Sequence, residues 1–585
     1  MKLIKLYRIK IIVVLYYFNM EHDFPLLETT DSTDYIKEQI VYLYFNYTRK
    51  LDKENIDSLR TSLSDVLQNI KKNINTSSVY MDYLKTIYKM IAQTRDIYEG
   101  KGEHELSYIS LYVLYQYFPT LAIYLLHRFV NPIPELNVPY GSWRDIKYLC
   151  EYVRGISPKK ENDELIHVCV ELMNKQLKKD IESWKFSICA GSRNHISNVS
   201  KWIPRENKHF GWLYNLLVFH WSENFSKWKL SPYVENSTYS MAVTKAKRQY
   251  RKVVSYLNKK LDTTQIKQCS QKLDELDPSK ISCYTLMKQK LTFLGEHESS
   301  LFTEKFKTHC EDKYFYREPG YNANYFVNFP LSYFVKEAIR ISQLMKNADT
   351  STLGFQYDLL NKQWEIVSNS IPSYHFKAIL PILDTSFKMQ ENDSEGFYYS
   401  IGYSILISCK SLFNKRILVI DNQPSWINFD DGSNFISMVE TVVHKINSHQ
   451  NTCYSYEKIG DIILNSIQQV EQPCTFIKNM KLVFFSNSFG DSNFYKQLEN
   501  LFHNIEKPMI VLWNVSKNVI PLPTTFNEKG VIMLSGFSNT LLKSLNTINS
   551  HSVTPYTFIE QVVNEKRYTI LDNYLASITS KFFSA

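Results

Sequence analysis

Two rhythms of apolar and polar positions divide the chain. Up to about residue 375, apolar side chains recur every three or four positions, the period of an amphipathic helix. Ile56, Leu59, Leu63, Val66, Leu67, Ile70 and Ile74 form one such series. Before it, Asp31-Ser32-Thr33-Asp34 offers N-caps for a helix running to about Leu51. Residues 106–130 are strongly apolar, but Pro119 divides them. The tyrosines there, with Gln116, His127 and Arg128, predict a buried helical hairpin and no membrane span. Pro132, Pro134 and Pro139 mark a loop, after which Ser142 is a helix N-cap and Asp145 its capping-box partner, with Trp143 and Ile146 turned to the core. Residues 214–221 predict an apolar helix, and residues 241–260 another that buries Val253, Val254 and Leu257.

After residue 375 the rhythm changes. Short, nearly continuous apolar runs at 377–383, 416–421, 481–486, 509–514 and 530–534 read as buried parallel strands. Helical stretches at 395–413, 434–446, 456–467 and 493–504 separate them, and another begins at Ser538. The first run ends in Asp384-Thr385-Ser386, which puts polar groups at the carboxyl edge of an open sheet, where such folds bind ligands. The expected architecture is multidomain: an extension over 1–30, an all-α module over 31–375, and a doubly wound α/β domain over 376–585.

Composition narrows the chemistry. Among 585 residues only 16 are Gly, which weighs against Gly-rich phosphate loops. Gly-x-x-x-x-Gly-Lys, Gly-x-Gly-x-x-Gly, His-Glu-x-x-His and Gly-x-Ser-x-Gly are all missing from the sequence, so no enzyme is expected. The nine cysteines are scattered, with no Cys-x-x-Cys pair, which points to a reducing, intracellular compartment. Residues 11–18 are too short an apolar run to span a bilayer, and no small-residue cleavage site follows. Met20-Glu21-His22-Asp23 reads as a natural start, with residues 1–19 a dispensable extension; a cleaved signal or anchor is the alternative. Net charge is +9, and it lies in the helical part, since residues 376–585 come to about −1.

The most basic stretch is 241–260, with no acidic residue. Lys245, Lys247, Arg248, Arg251 and Lys252 cluster there, with Tyr250 nearby. Such a helix either presents a solvated face or contacts nucleic-acid phosphates.

The second half resembles a von Willebrand factor A domain, whose metal-ion-dependent adhesion site holds a magnesium-like ion on an Asp-x-Ser-x-Ser loop, a later Thr and a later Asp. Asp384 and Ser386 keep the first two positions, Lys388 stands at the third, Ser455 is the candidate for the Thr, and Asn487 occupies the Asp position. The resemblance therefore implies a degenerate site. Either it takes no divalent ion, with Lys388 in the ion's place, or it binds magnesium weakly with Lys388 turned outward. More widely, Gly-Ser-Trp-Arg-Asp-Ile-Lys-Tyr-Leu (141–149), Val-Ser-Lys-Trp-Ile-Pro-Arg-Glu (199–206), the basic helix, Ile-Val-Leu-Trp-Asn (510–514) and Gly-Val-Ile-Met-Leu-Ser-Gly-Phe-Ser (530–538) resemble a family of uncharacterised proteins from giant DNA viruses such as mimivirus. That family is similar to the Ro autoantigen, which joins a ring of HEAT-like helices, the TROVE module, to a von Willebrand A domain. The resemblance implies an RNA-binding scaffold in the host cytoplasm or the virion, with a protein partner at the sheet edge and no membrane association. A purely protein-binding or structural virion component is the alternative.

Overall fold

The computed structural model describes residues 32–49, 51–190, 196–225, 236–294, 301–315, 329–346, 351–371, 376, 378–386, 389–390, 394–413, 415–420, 424–447, 456–467, 478–489, 507–545 and 551–582. The extension over 1–30 and the expected helix at 493–504 lie outside them.

The longer helices of the first part are α1 (Ser32–Asn46), α2 (Lys53–Asn73), α3 (Ser78–Arg95), α4 (Glu105–Tyr117), α5 (Pro119–Val130), α6 (Trp143–Ile156) and α7 (Glu164–Ala190), then a single turn, α8 (Val199–Trp202), and α9 (Gly211–Asn224) and α10 (Asn236–Leu261). Their starts follow local chemistry. The Asp52 carboxylate accepts from Asn55 N–H at the head of α2, and Pro119 opens α5. Ser142 and Asp145 form the expected capping box on α6, with Trp143 and Ile146 buried. Among the described residues no helix is long and apolar enough to cross a membrane.

The end of the first helix departs from expectation. Helix α1 stops at Asn46, five residues before Leu51. The Asn46 amide there donates to Ile520 O (3.0 Å) and accepts from Ile520 N–H (2.8 Å). A contact 474 residues away thus takes over from the helix ladder.

The second part is a mixed six-stranded sheet flanked by helices. Its strands are β1 (Ile379–Asp384), β2 (Arg416–Ile420), β3 (Ser425–Asn428), β4 (Lys481–Ser486), β5 (Met509–Asn514) and β6 (Val531–Ser535), in the order β3-β2-β1-β4-β5-β6. All pairs are parallel except β2–β3. Strand β3, Ser-Trp-Ile-Asn, was not expected: it is four residues long, sits on the edge and only partly buries its side chains. Pro381 sits inside central β1. Thr385 N–H donates to Ile420 O on the β2 side and Ala378 O accepts on the β4 side, so by alternation the missing N–H of Pro381 faces β2. Pairing with β2 starts only at the next residue, Ile382 with Leu418, so no ladder bond is lost.

The two parts share one core. Helix α11 (Leu331–Met345) precedes α12 (Ser351–Ser370), and it packs on α13 (Ser394–Ser408) and α14 (Phe435–Asn447) of the α/β part. At the other end, α16 (Pro555–Val563) and α17 (Thr569–Phe582), which follow α15 (Tyr456–Ile467), pack on α3. Neither α16 nor α17 was expected. The helix expected from Ser538 is a single turn at 541–544.

Candidate nucleic-acid interface

Helix α10 is held by its aromatic side. Tyr250, expected beside the cations, is instead fully buried. Its hydroxyl donates to Asn174 Oδ1 (2.8 Å), and its ring meets those of Tyr214 and Trp221, each at 5.7 Å. Half-buried Val253 and Val254 and buried Leu257 complete that side. The opposite side leaves Lys245, Arg248, Arg251 and Lys252 exposed. Lys247 and Arg251 pair with the two oxygens of Glu206, both at 3.2 Å. Among the described residues Arg248 and Lys252 have no carboxylate partner.

Glu206 ends the Val-Ser-Lys-Trp-Ile-Pro-Arg-Glu segment, so the fold brings two separate sequence features together. Ile203 and Pro204 are buried and hold the segment down. Asn258 of α10 accepts from the Ser200 hydroxyl and donates to Ser200 O, both at 3.1 Å. Between segment and helix lies a groove of about 1010 Å³. Lys201, Arg205, Lys208, Arg251 and Lys259 line it, with Trp202 and Tyr214, and Glu206 is its sole carboxylate among the described residues. Residues 196–261 hold twelve Lys and Arg against three Glu, a balance equal to the +9 of the entire chain.

The sheet presents a second place. The connections from β1 and β4 diverge, so the crevice of the order β3-β2-β1-β4-β5-β6 opens between their carboxyl ends. Asp384 and Ser386 lie at the end of β1 and Asn487 directly follows β4; Lys388 and Ser455 lie outside the described residues. Buried Asp384 accepts from Ser386 N–H (2.8 Å) on one oxygen and from the Ser486 hydroxyl (2.5 Å) on the other. Ser486 did not figure in the sequence reading, although it is the last residue of an expected strand. Hard dications favour several anionic oxygens. Among the described residues Asp384 is the one carboxylate of this set and both its oxygens accept hydrogen bonds, and no cluster of three His, Cys, Asp or Glu suited to a metal occurs.

Next to the crevice the edge is filled by the chain itself. The Asn514 amide, at the end of β5, donates to Phe45 O (2.8 Å), and Thr48 donates to Ser516 O (2.7 Å). At the end of β6, the Ser535 hydroxyl donates to Tyr44 O (2.6 Å). The buried ammonium of Lys101 joins them, at 2.6 Å from Tyr44 O and 2.7 Å from Ser535 Oγ, over the Tyr44 ring. Burial pushes the Lys101 pKa well down, against the pull of Glu103. Glu103 in turn holds Arg49 through Nε (3.1 and 3.0 Å). This Gly100-Lys101-Gly102-Glu103 turn went unread. Its signal was two glycines bracketing a lysine in a chain with only 16 glycines. A Cβ on Gly100 would lie 2.0 Å from Gln93 O, and Gly102 has φ +69°, so both positions need glycine.

Residues 379–567 match the model of a family described as a domain of unknown function, DUF7788. The chain is also 23% identical over 520 residues to the uncharacterised protein L728 of Acanthamoeba polyphaga mimivirus, covering 84% of this chain and 83% of that one. No solved structure matches.

Proposed function

We propose that the protein is a non-enzymatic scaffold that binds nucleic acid, RNA in the first instance, along the groove between α10 and residues 201–208. The observation that carries this reading is a surplus of uncommitted cations. Among the described residues, Lys201, Arg205, Lys208, Arg248, Lys252 and Lys259 pair with no carboxylate. Neutralising a phosphate backbone needs cations in that state, and each one engaged releases a counterion. RNA is favoured over DNA by the resemblance to Ro-like proteins alone. The α/β part is read as a von Willebrand A-like docking element. Its β5–β6 edge is occupied by residues 44–49, which leaves a protein partner the β1–β4 side near Asp384. Localisation follows the same reading: host cytoplasm, or the virion.

The test is binding of fluorescent RNA, structured and single-stranded, by the full chain across a salt series, with and without magnesium. Binding is expected to weaken steeply with salt. Arg248→Glu with Lys252→Glu, which breaks no ion pair among the described residues, should lower the slope of log K against log salt by about 1.4–1.8. Absence of binding at low salt would sink the proposal. It would favour the other reading, a protein-binding or virion component, which is supported by Phe186 and Met241 at 66% and 65% exposure.

A further inference from the structure

Helix α6 places a second set of cations beside the groove. Arg144 lies over the Tyr148 ring (5.0 Å) and Lys147 over the Phe210 ring (4.1 Å). Tyr148 and Phe210 pack edge to face at 5.5 Å, so one aromatic pair carries both cations. Phe210 follows groove-lining Lys208 by two residues, a reach of at most about 7 Å along the backbone.

The acids of this helix that could neutralise Arg144 and Lys147 are committed elsewhere. Asp145 is buried and bonds Arg95, Tyr108 and Ser142. Glu151 takes His209 (2.9 Å) on one oxygen and Trp212 Nε1 (3.0 Å) on the other. Among the described residues neither Arg144 nor Lys147 has an ion pair. Rings position these cations without cancelling their charge.

We infer that Arg144 and Lys147 form a second phosphate subsite, continuous with the α10 groove through Lys208, which engages the backbone of one long nucleic-acid strand. The inference rests on the nucleic-acid reading above and adds a length requirement to it. A short oligonucleotide fills the α10 groove alone; a longer one reaches α6. Partial burial and the repulsion of Arg144 push the Lys147 pKa down, and a phosphate between the two would relieve that repulsion.

The experiment compares RNAs of about 6 and about 20 nucleotides, bound by the wild-type chain, by Arg144→Glu/Lys147→Glu and by the milder Arg144→Gln/Lys147→Gln. For the longer RNA, both variants should lose affinity, the Glu pair by about tenfold, and its salt slope should fall by about 1.4. Affinity for the shorter RNA should stay at the wild-type value. Equal losses at both lengths, or no loss at either, would overturn the subsite while salt-dependent wild-type binding left the groove standing. Failure of the wild-type chain to bind either RNA would overturn both.

Discussion

At the scale of single residues, Asp145 shows how one side chain serves two structures. Its carboxylate closes the capping box of α6 by accepting from Ser142 N–H (2.6 Å). The same group takes buried Arg95 (2.7 Å), the Tyr108 hydroxyl (2.6 Å) and His104 Nδ1 (3.1 Å). Gly141 must stay small, because a Cβ there would lie 2.5 Å from Asp145 Oδ2. Burial alone would raise the Asp145 pKa; Arg95 and His104 outweigh it and hold the carboxyl well below its ordinary range. Asp145→Asn should cost about 3–5 kcal/mol, the scale of breaking a buried pair and leaving one charge behind. The pH dependence has a definite sign. A depressed folded pKa gives stability that is complete above the unfolded value, about 3.9, and is lost as pH falls below it. The gap between wild type and variant in urea melts should therefore narrow below about pH 4; a gap that widened there would contradict this role. The capping box was legible in four consecutive residues. Arg95 was not, because it lies fifty residues earlier and no local period links the two.

At the scale of elements, helix α1 is cut to length by the sheet it docks on. Its sequence supports a longer helix, yet Asn46 gives its amide to Ile520, and the next residues lie across the ends of β5 and β6. Asn46→Ala removes both bonds to a half-buried backbone and should destabilise the chain by about 1–3 kcal/mol. Amide exchange should quicken first in α1 and in residues 515–522; exchange that rose uniformly would argue against a local clamp. Most strands were legible, since runs such as Lys-Leu-Val-Phe-Phe-Ser (481–486) and Met-Ile-Val-Leu-Trp-Asn (509–514) are apolar on both faces and came out at their expected bounds. Strand β3 is too short and too exposed to leave that trace. The basic helix was legible as a helix with Val253, Val254 and Leu257 on its inner side, but the buried anchor Tyr250 on that side was not.

At the scale of the whole molecule, the change of rhythm near residue 375 marks a change of architecture without separating the packing. Helix α11 covers helices of the α/β part, α16 and α17 return to α3, and Arg567 bonds Asp96 through Nε (2.5 Å) across 471 residues. Cutting at 375 would expose apolar faces on both pieces. The intact chain is expected to melt in one calorimetric transition, and fragments 31–375 and 376–585 made separately should lack cooperative melts. Two resolved transitions, or a fragment with its own sharp melt, would mean the halves fold independently.

The sequence by itself determined the alternation of helix and strand, the change at 375, the caps, and the concentration of charge around α10, because period and capping are set by neighbours along the chain. Only the tertiary structure decided which charges remain available. Glu206 claims Lys247 and Arg251, Asp145 and Glu151 turn away from Arg144 and Lys147, and Ser486 takes the second oxygen of Asp384. Those outcomes depend on which side chains meet across hundreds of residues. A charge commits to whatever opposite partner the packing brings within reach, and packing is not written in the local period.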